Sequence, residues 1–461
     1  MDRRLKKLHS SIYEANKLKW KIEHKMHPST KVFSVTNKYT DIKEPLIARG
    51  WFENTDPNSE FFDFKWTLKH RDLEYKKLRK TQIVNHFQRN AELSTKVGLL
   101  HNLKNLTWFD GTEVDSFYPN SYDLADVEVP DFIEEFKLTK AESILKSYLG
   151  KEEKLNSLDM AKLLISMNIS ERRLTRLEEL LDMIVVNDSL VSDEEWELLL
   201  CENQVDPLFT KYPYLHKRTL SLYNHYRKEN EDEHDFIKVK CRELIRKLKC
   251  RYPQTSLNGV RNLWIAKPAG LSRGRGIHIF TTLNELDEII KGRNYIVQKY
   301  IENPLIILDR KFDIRQWVLV TSWNPLIIWI YKEFYVRFSA EDFDINKTDN
   351  NFIHLTNNSI TKYAKIDNKI EGNMWSQDQF ITYLKTTFSH DVWEESLRKK
   401  VYEIIVQSIK STQDVVIHRD KCFELFGYDI MIDEHLNPWL IEVNCSPAVD
   451  YSTVLILLLI V

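Results

Sequence analysis

Cysteine is scarce in this chain and lacks the spacings that would give it a task. Its five cysteines, Cys201, Cys241, Cys250, Cys422 and Cys445, form no CxxC pair and no zinc-type cluster. That pattern excludes a structural zinc and fits a reduced intracellular compartment. The start, MDRRLKKLHSSIYEANKLKWK, has no apolar secretory core; it reads as a basic amphipathic helix with Leu5, Leu8, Ile12 and Ala15 at helical spacing. The longest apolar run, Val454 to Val461, is far too short to cross a bilayer, so no membrane partner is expected. Internal repeats and low-complexity tracts are missing. So are the GxxxxGKS/T phosphate loop, the dinucleotide fingerprint, and any Ser/His or Cys/His nucleophile constellation.

What is present is a chain of 461 residues, 43% hydrophobic and 29% charged, which is globular and long enough for two or three domains. The net charge of -2 conceals unevenness: Lys65 to Lys104 holds ten Lys or Arg against three acidic residues, with Trp66, Tyr75 and Phe87 interleaved. Such a segment suits an acidic protein partner, and a solvated helix face accounts for it equally well.

The periodicity divides the chain into a basic arm (1–30), an N-terminal α/β domain (31–137), a helical central region (138–255) and a strand-rich C-terminal domain (256–461). Lys31 to Tyr39 alternates like a strand. Thr81 to Asn90 and Ser94 to Leu106 carry helical spacing, and Val127 to Phe136 reads as an acidic, Pro-containing connection. From Asn262 onward LWIAKP, IHIF, YIVQKYI, FDIRQWVLVTS and LIIWIYKEFYVRF are strands, with helices near 283–291, 377–388 and 393–411.

The densest chemistry lies in FGYDIMIDEHLNPWLIEVNCSP, a hairpin by its two β-rich runs and intervening turn residues. A loop of Glu434 to Asn437 pairs Asp433 with Pro438 and sets Asp429 opposite Glu442, with Asn444 on the same face. Two carboxylates and an amide oxygen suit a hard cation such as Mg2+; a polar face on an edge hairpin is the plainer alternative. Upstream, Lys267 closes the strand LWIAKP, and the following PAGLSRGRGIHIF carries Gly270, Gly274 and Gly276 with two arginines. By composition this is a phosphate cradle. In YIVQKYIENPLII a strand runs into a linker that can offer backbone edges to a purine, with Gln298 as a polar contact, though a buried strand explains it too. Lys311, Asp313 and Arg315 alternate on one strand and face one way, which is costly unless they are paired or bound to a ligand. Arg337, Thr356 and Asn357 extend the theme.

WIAKP with SRGRGI, VQKYIENPLII, KFDIRQWVLV, YVRF, HLTNNSI and FELFGYDIMID with PWLIEVNCSP occur in order over about residues 80–450. In these motifs the chain resembles the tubulin tyrosine ligase-like family of ATP-grasp amino-acid ligases. IVNHFQRNAELSTKVGLLHNLKNLTWF, DSFYPNSYDL and LVTSWNPLIIWIYKEFYVRFS are most similar to its glycylase branch, in particular the initiating monoglycylases. The resemblance implies an α+β, ATP-grasp fold with a helical insertion. It also implies ATP and Mg2+ as cofactors and a monomer acting on the acidic tails of α/β-tubulin in microtubules of the cytoplasm and ciliary axoneme. Free glycine would be the co-substrate, with no nucleic acid involved. Residue by residue, Lys96, Lys267, Gly274, Arg275 and Gly276 would hold the phosphates. Gln298, Lys299, Tyr300 and Ile301 would line the adenine hinge, while Lys311 and Asp313 would meet the nucleotide. Asp429, Glu442 and Asn444 would carry the metal, and Arg315, Arg337, Thr356 and Asn357 would face the transferred phosphate and an acylphosphate intermediate.

Two departures accompany the resemblance. Family members continue past the Asn-Cys-Ser-Pro turn into a terminal helix, whereas an apolar run follows here, so either a shortened end or a misassigned one is expected. The helical stretch 139–251 matches only loosely. A tubulin polyglutamylase, a ligase for another protein, a small-molecule carboxylate–amine ligase and a non-catalytic microtubule-binding protein remain the competing readings.

Overall fold

The computed structural model describes residues 3–36, 39–68, 70–125, 127–152, 155–179, 189–202, 204–226, 233–364 and 369–445. The apolar run Val454 to Val461 and the Ser-Pro of the Asn-Cys-Ser-Pro turn lie outside them. Helix α1 (Arg3–Glu23) precedes strand β1 (Val32–Val35), helix α2 (Thr40–Ala48), and strands β2 (Phe52–Glu53), β3 (Phe64–Trp66) and β4 (Ile83–Val84). The strands form a parallel sheet in the order β2-β1-β3-β4. The packed face of α1 differs from the expected one. Ile12 and Ala15 are exposed, and Tyr13, Lys17 and Lys21 are buried. The Tyr13 hydroxyl donates to the Glu60 carbonyl (2.9 Å) and Lys17 reaches Asp63 (2.8 Å). Lysine stems cover apolar surface while their ends find oxygen, so a polar stripe can be the docking stripe.

The helix expected over Thr81 to Asn90 is likewise replaced, by extended chain containing β4. Gln82 donates to the Glu60 and Phe62 carbonyls, and Asn85 exchanges two bonds with the Thr67 backbone. Side chains that bond the backbone of other segments compete with the helical ladder. Helices α3 (Ala91–Ser94) and α4 (Lys96–Asp110) follow, the second capped by the Thr95 hydroxyl on the Gly98 N–H, and then strand β5 (Ser121–Asp123).

Helix α5 (Val129–Leu149) occupies what reads as a connection in the sequence, and it runs across position 137. Pro130 and Asp131 start it: a proline without an N–H costs nothing in the first turn, and an acidic side chain there meets the positive helix end. The region continues as α6 (Ser157–Glu179), α7 (Asp193–Leu200), α8 (Asp206–Lys211), α9 (Pro213–Tyr226) and α10 (Glu233–Arg251). Apolar seams between α5, α6, α9 and α10 are reinforced by buried charge, with Arg173 holding both Glu135 and Glu142.

Strands β6 (Trp264–Pro268) and β7 (His278–Phe280), helix α11 (Leu283–Ile289) and strand β8 (Tyr295–Lys299) come next. With β5 these strands make an antiparallel sheet ordered β5-β8-β6-β7. A larger sheet is built from β9 (Ile306–Ile307), β10 (Arg310–Trp323) and β11 (Leu326–Phe338). After the short helices α12 (Asn351–His354) and α13 (Asn358–Thr361) come β12 (Met374–Ser376), helices α14 (Gln377–Phe388) and α15 (Arg398–Lys410), and strands β13 (Glu424–Ile432) and β14 (Pro438–Cys445). Its order is β12-β11-β10-β13-β14, with β9 against the start of β10. The chain is thus α+β.

Period two sorts the two faces of the larger sheet. Ile314, Val318, Tyr428 and Ile430 face the main core with Leu103 of α4, Leu384 of α14 and Ile405 of α15. On the opposite face, Trp317, Leu319 and Leu425 pack against Phe33, Phe64 and Trp66 of the N-terminal sheet. The charged residues Lys311, Asp313, Arg315 and Asp429 occupy the rest of that face.

Candidate active site

Asp429 and Glu442 stand opposite each other across β13 and β14. The hairpin reaches this register by a different route from the expected one. Ile432, not Asp433, faces Pro438, so the turn is a residue longer at its start, and a bulge at Ile441 restores the count. Asp433 instead accepts from the His435 and Asn437 N–H groups and the Trp439 indole, which fixes the turn.

The Asn444 amide lies 3.2 Å from Asp429 Oδ2 and 3.1 Å from Glu442 Oε1. Burial, and then the adjacent Asp429 charge, raise the Glu442 carboxyl above its ordinary value. Burial acts the same way on Asp429, but Arg315 and Arg337 outweigh it and hold that carboxyl well below the usual range. Two crowded carboxylates, one of them driven toward its protonated form, are a donor set that a divalent cation fits, because the ion replaces the proton. The amide donates to both here and would turn its oxygen toward a cation. Among the described residues no three His, Cys, Asp or Glu converge, so a cation at this place would have these two carboxylates and the amide as its side-chain ligands.

The strand pairing of β10 explains the rest of the charge. Arg315 faces Asp429 across one ladder and Asp313 faces Arg337 across the other. Arg315 grips Asp429 through Nε (2.5 Å) and a terminal nitrogen (3.1 Å), and Arg337 grips Asp313 at 2.8 and 2.6 Å while also touching Asp429 at 2.9 Å. The Thr356 hydroxyl donates to Asp313 (2.6 Å). The result is a closed, buried network in which each carboxylate holds a guanidinium in fork geometry.

Two chambers meet at Lys267, Gln298, Ile441 and Glu442, with volumes of about 80 and 200 Å³. The first is walled by Ile265, Ile277, Met431 and Ile441, edged by Gln298, Lys299, Tyr300 and Ile301, and floored by Lys311, Asp313, Thr356, Asn357 and Asp429. The second takes Lys96, Ala269 to Arg273 and Asn444, and opens onto Thr95 at the start of α4. Lys96 donates to the Leu271 carbonyl (2.7 Å) and Lys267 to the Gln298 side chain (2.5 Å). Gln298 in turn donates to Ser121 of β5 (2.9 Å). Burial lowers all three lysines of the site, Lys267 to about 8 and Lys311 to about 7, with Lys96 also below its ordinary value.

Not every expected residue comes to the chambers by its side chain. Lys299 turns away, donating to the Leu263 carbonyl (2.6 Å) and Glu302 (2.8 Å) in a buried ion pair. Gly274, Arg275 and Gly276 line neither chamber, and Arg275 is exposed. Gly274 has φ +72°, and a Cβ there would strike Ile360, so glycine lets the loop fold onto α13. Residues the sequence reasoning passed over are Ile265, Ile277, Met431 and Ile441, with Thr95 and His354. Met431 was within reach, being two residues from Asp429 on the same strand. Thr95 carried an N-cap signal before an apolar run, whereas Ile441 owes its place to the bulge.

The sequence model of the tubulin-tyrosine ligase family matches residues 203–460, which takes in β6 to β14 and the charged network. Tubulin glycylase 3C of Tetrahymena thermophila is 38% identical over 94% of this chain and 45% of its own length. A tubulin monoglycylase of Mus musculus is 34% identical over 84% of this chain and 44% of its own length. A protein monoglycylase of Homo sapiens is 34% identical over 84% and 49% respectively. The chain thus spans about half the length of the curated relatives it matches. With a family match over more than half of its residues, covering the strands that carry the site, the chain belongs to the tubulin-tyrosine ligase family.

Proposed function

We propose that this chain is an ATP-dependent ligase that adds glycine to glutamate side chains of tubulin tails, starting the branch, through an acylphosphate. The observation that carries this reading is the meeting of Asp429, Glu442 and Asn444 with Lys96, Lys267, Lys311, Arg315 and Arg337 around two joined chambers. The printed names of the relatives, tubulin glycylase and monoglycylase, supply the acceptor and the amino acid. In this proposal the two sheets are the lobes of an ATP-grasp fold, with the base between Ile265, Ile277, Met431 and Ile441. The site of action is the microtubule cytoskeleton, the ciliary axoneme included.

In the proposed reaction an oxygen of the tail carboxylate attacks the γ-phosphorus while the bond to the β,γ-bridging oxygen breaks and ADP leaves. Arg315 and Arg337 donate to the phosphoryl oxygens as charge spreads over them, and Lys96 and Lys267 neutralise the leaving chain. Asn357 offers a further donor at the floor, while Thr356 gives its one proton to Asp313 and holds that carboxylate in place. Asp429, Glu442 and Asn444 would hold Mg2+, which supplies charge neutralisation at the phosphates when bound. The glycine nitrogen then attacks the acyl carbon, the carbon–oxygen bond to phosphate breaks, and the surplus amine proton passes to solvent. No protein nucleophile is required.

The test is incorporation of labelled glycine against labelled glutamate into unmodified tubulin with ATP and Mg2+, read by mass spectrometry of the tails. Single glycine branches support the proposal. Glutamate incorporation would reassign the chain to a glutamylase with the same site, and no product with either would reject the ligase reading.

A further inference from the structure

Lys311 is buried, and its ammonium has two protein acceptors, the Tyr300 hydroxyl (3.1 Å) and the His354 carbonyl (2.8 Å). The Tyr300 hydroxyl also lies 2.8 Å from His354 Nδ1. The other ring nitrogen, Nε2, is 2.9 Å from the Lys347 carbonyl. A carbonyl can only accept, so Nε2 carries the hydrogen. Burial and then the Lys311 charge push His354 down to about 4, which leaves Nδ1 a bare acceptor at neutral pH. Tyr300 must therefore donate to Nδ1, and its oxygen is left to receive from Lys311. The direction of all three bonds is fixed by one backbone carbonyl.

Packing holds the same chain in place. The Tyr300 and His354 rings meet edge to face at 5.6 Å, Phe343 covers the imidazole at 6.0 Å, and the Lys311 ammonium lies 4.5 Å from the Tyr300 ring centre. Lys311, Tyr300 and His354 all line the first chamber.

We propose that Tyr300 and His354 are positioning residues whose one-way hydrogen-bond chain, anchored on the Lys347 carbonyl, aims the Lys311 ammonium at a bound nucleoside triphosphate. This rests on the nucleotide reading of the chambers and adds two residues that act through a third. The groups facing Lys311 are Asp313 on its own strand, Lys267 on β6, and Tyr300 and His354. Loss of the Tyr300 oxygen leaves the ammonium one acceptor fewer in a dry site, so it protonates only at lower pH.

The experiment is calorimetric titration of the full chain with ATP and Mg2+ at a series of pH values, for wild type, Lys311→Met, Tyr300→Phe, His354→Phe and His354→Asn. Tyr300→Phe and His354→Phe should weaken binding about tenfold and move the pH at which affinity falls down by about one unit. His354→Asn, whose amide oxygen can stand where Nδ1 stands, should restore the wild-type midpoint. Residues that merely support the fold would lower melting temperature and leave the midpoint where it was, and that result overturns the proposal. If wild type binds ATP and Lys311→Met does not, while both phenylalanine variants keep the wild-type profile, the nucleotide reading survives and the positioning role falls. If wild type fails to bind ATP, both fall.

Discussion

Nucleotide binding should take up protons. Lys311 at about 7 and Lys267 at about 8 are partly neutral in the free chain, because burial strips water from their ammonium groups and no carboxylate touches them. A triphosphate placed against both restores the charged form. The direction follows from linkage: the bound state holds more protons, so affinity falls as pH rises. At about pH 7.5 roughly three-quarters of Lys311 and one-quarter of Lys267 are neutral, so binding should draw about one proton from buffer, shrinking to about 0.3 near pH 6.5. Calorimetry in two buffers of different ionisation enthalpy reads this number directly. Lys311→Arg keeps the charge without titrating in this range and should remove about three-quarters of the uptake. The difference between the two chains cancels protons taken by the ligand itself. An identical buffer dependence for wild type and Lys311→Arg would refute the argument.

Glu442→Gln should cut Mg2+-dependent turnover by about 10² to 10³ and leave metal-free nucleotide binding nearly intact, measured as rate against added Mg2+; ordinary turnover would dismiss the metal assignment. Glu424→Gln removes the partner of His86, a pair with nitrogen and oxygen 2.7 Å apart and both side chains buried. The loss should be about 3–5 kcal/mol by chemical denaturation. Although burial acts to lower it, Glu424 raises His86 overall, so this contribution is full below the ordinary imidazole value and fades as pH climbs through the raised one. Charge reversal of Lys76, Lys77 and Lys80, all exposed, should weaken tubulin binding about tenfold at low salt and less at high salt, by co-sedimentation. Arg79 is excluded from that set because its guanidinium packs 3.9 Å over the Tyr13 ring.

How much of this was legible depended on which signal carried each element. The alternation Lys311, Asp313, Arg315 defines one strand face by local geometry alone, and the cross-strand partners Arg337 and Asp429 complete it. The pairing of Asp429 with Glu442 was also legible, although the turn count and the bulge at Ile441 each departed by one residue and cancelled. Thr81 to Asn90 misled because helical spacing is silent on Gln82, Asn85 and His86 bonding to distant backbone. Trp66 and Phe87, seemingly part of a basic binding surface, are core residues. The apolar walls of the first chamber come from three separate strands and a loop, so nothing in the chain order brings Ile265, Ile277, Met431 and Ile441 together.

The choice between lysine and arginine in the site follows from what each does when the chambers are empty. Arg315 and Arg337, which cannot shed a proton, are the ones held by Asp429 and Asp313. Lys96, Lys267 and Lys311 meet only neutral oxygens, from the Leu271 carbonyl, the Gln298 amide, and the Tyr300 hydroxyl with the His354 carbonyl. All three lysines are lowered by burial. An unpaired buried arginine would keep its full desolvation cost, whereas an unpaired lysine escapes it by losing a proton. Lys96, Lys267, Lys311, Arg315 and Arg337 outnumber the carboxylates of Asp313, Asp429 and Glu442, and Arg273 adds a further cation at the wall of the second chamber. In the proposed complex that excess of positive charge faces the phosphates, and burial lets the lysines shed part of their charge when alone and regain it when the phosphates arrive. Exchanging the classes, as in Arg337→Lys, should therefore destabilise little, since a lysine can still pair with Asp313, yet lose the fork that grips Asp313 and reaches Asp429 together.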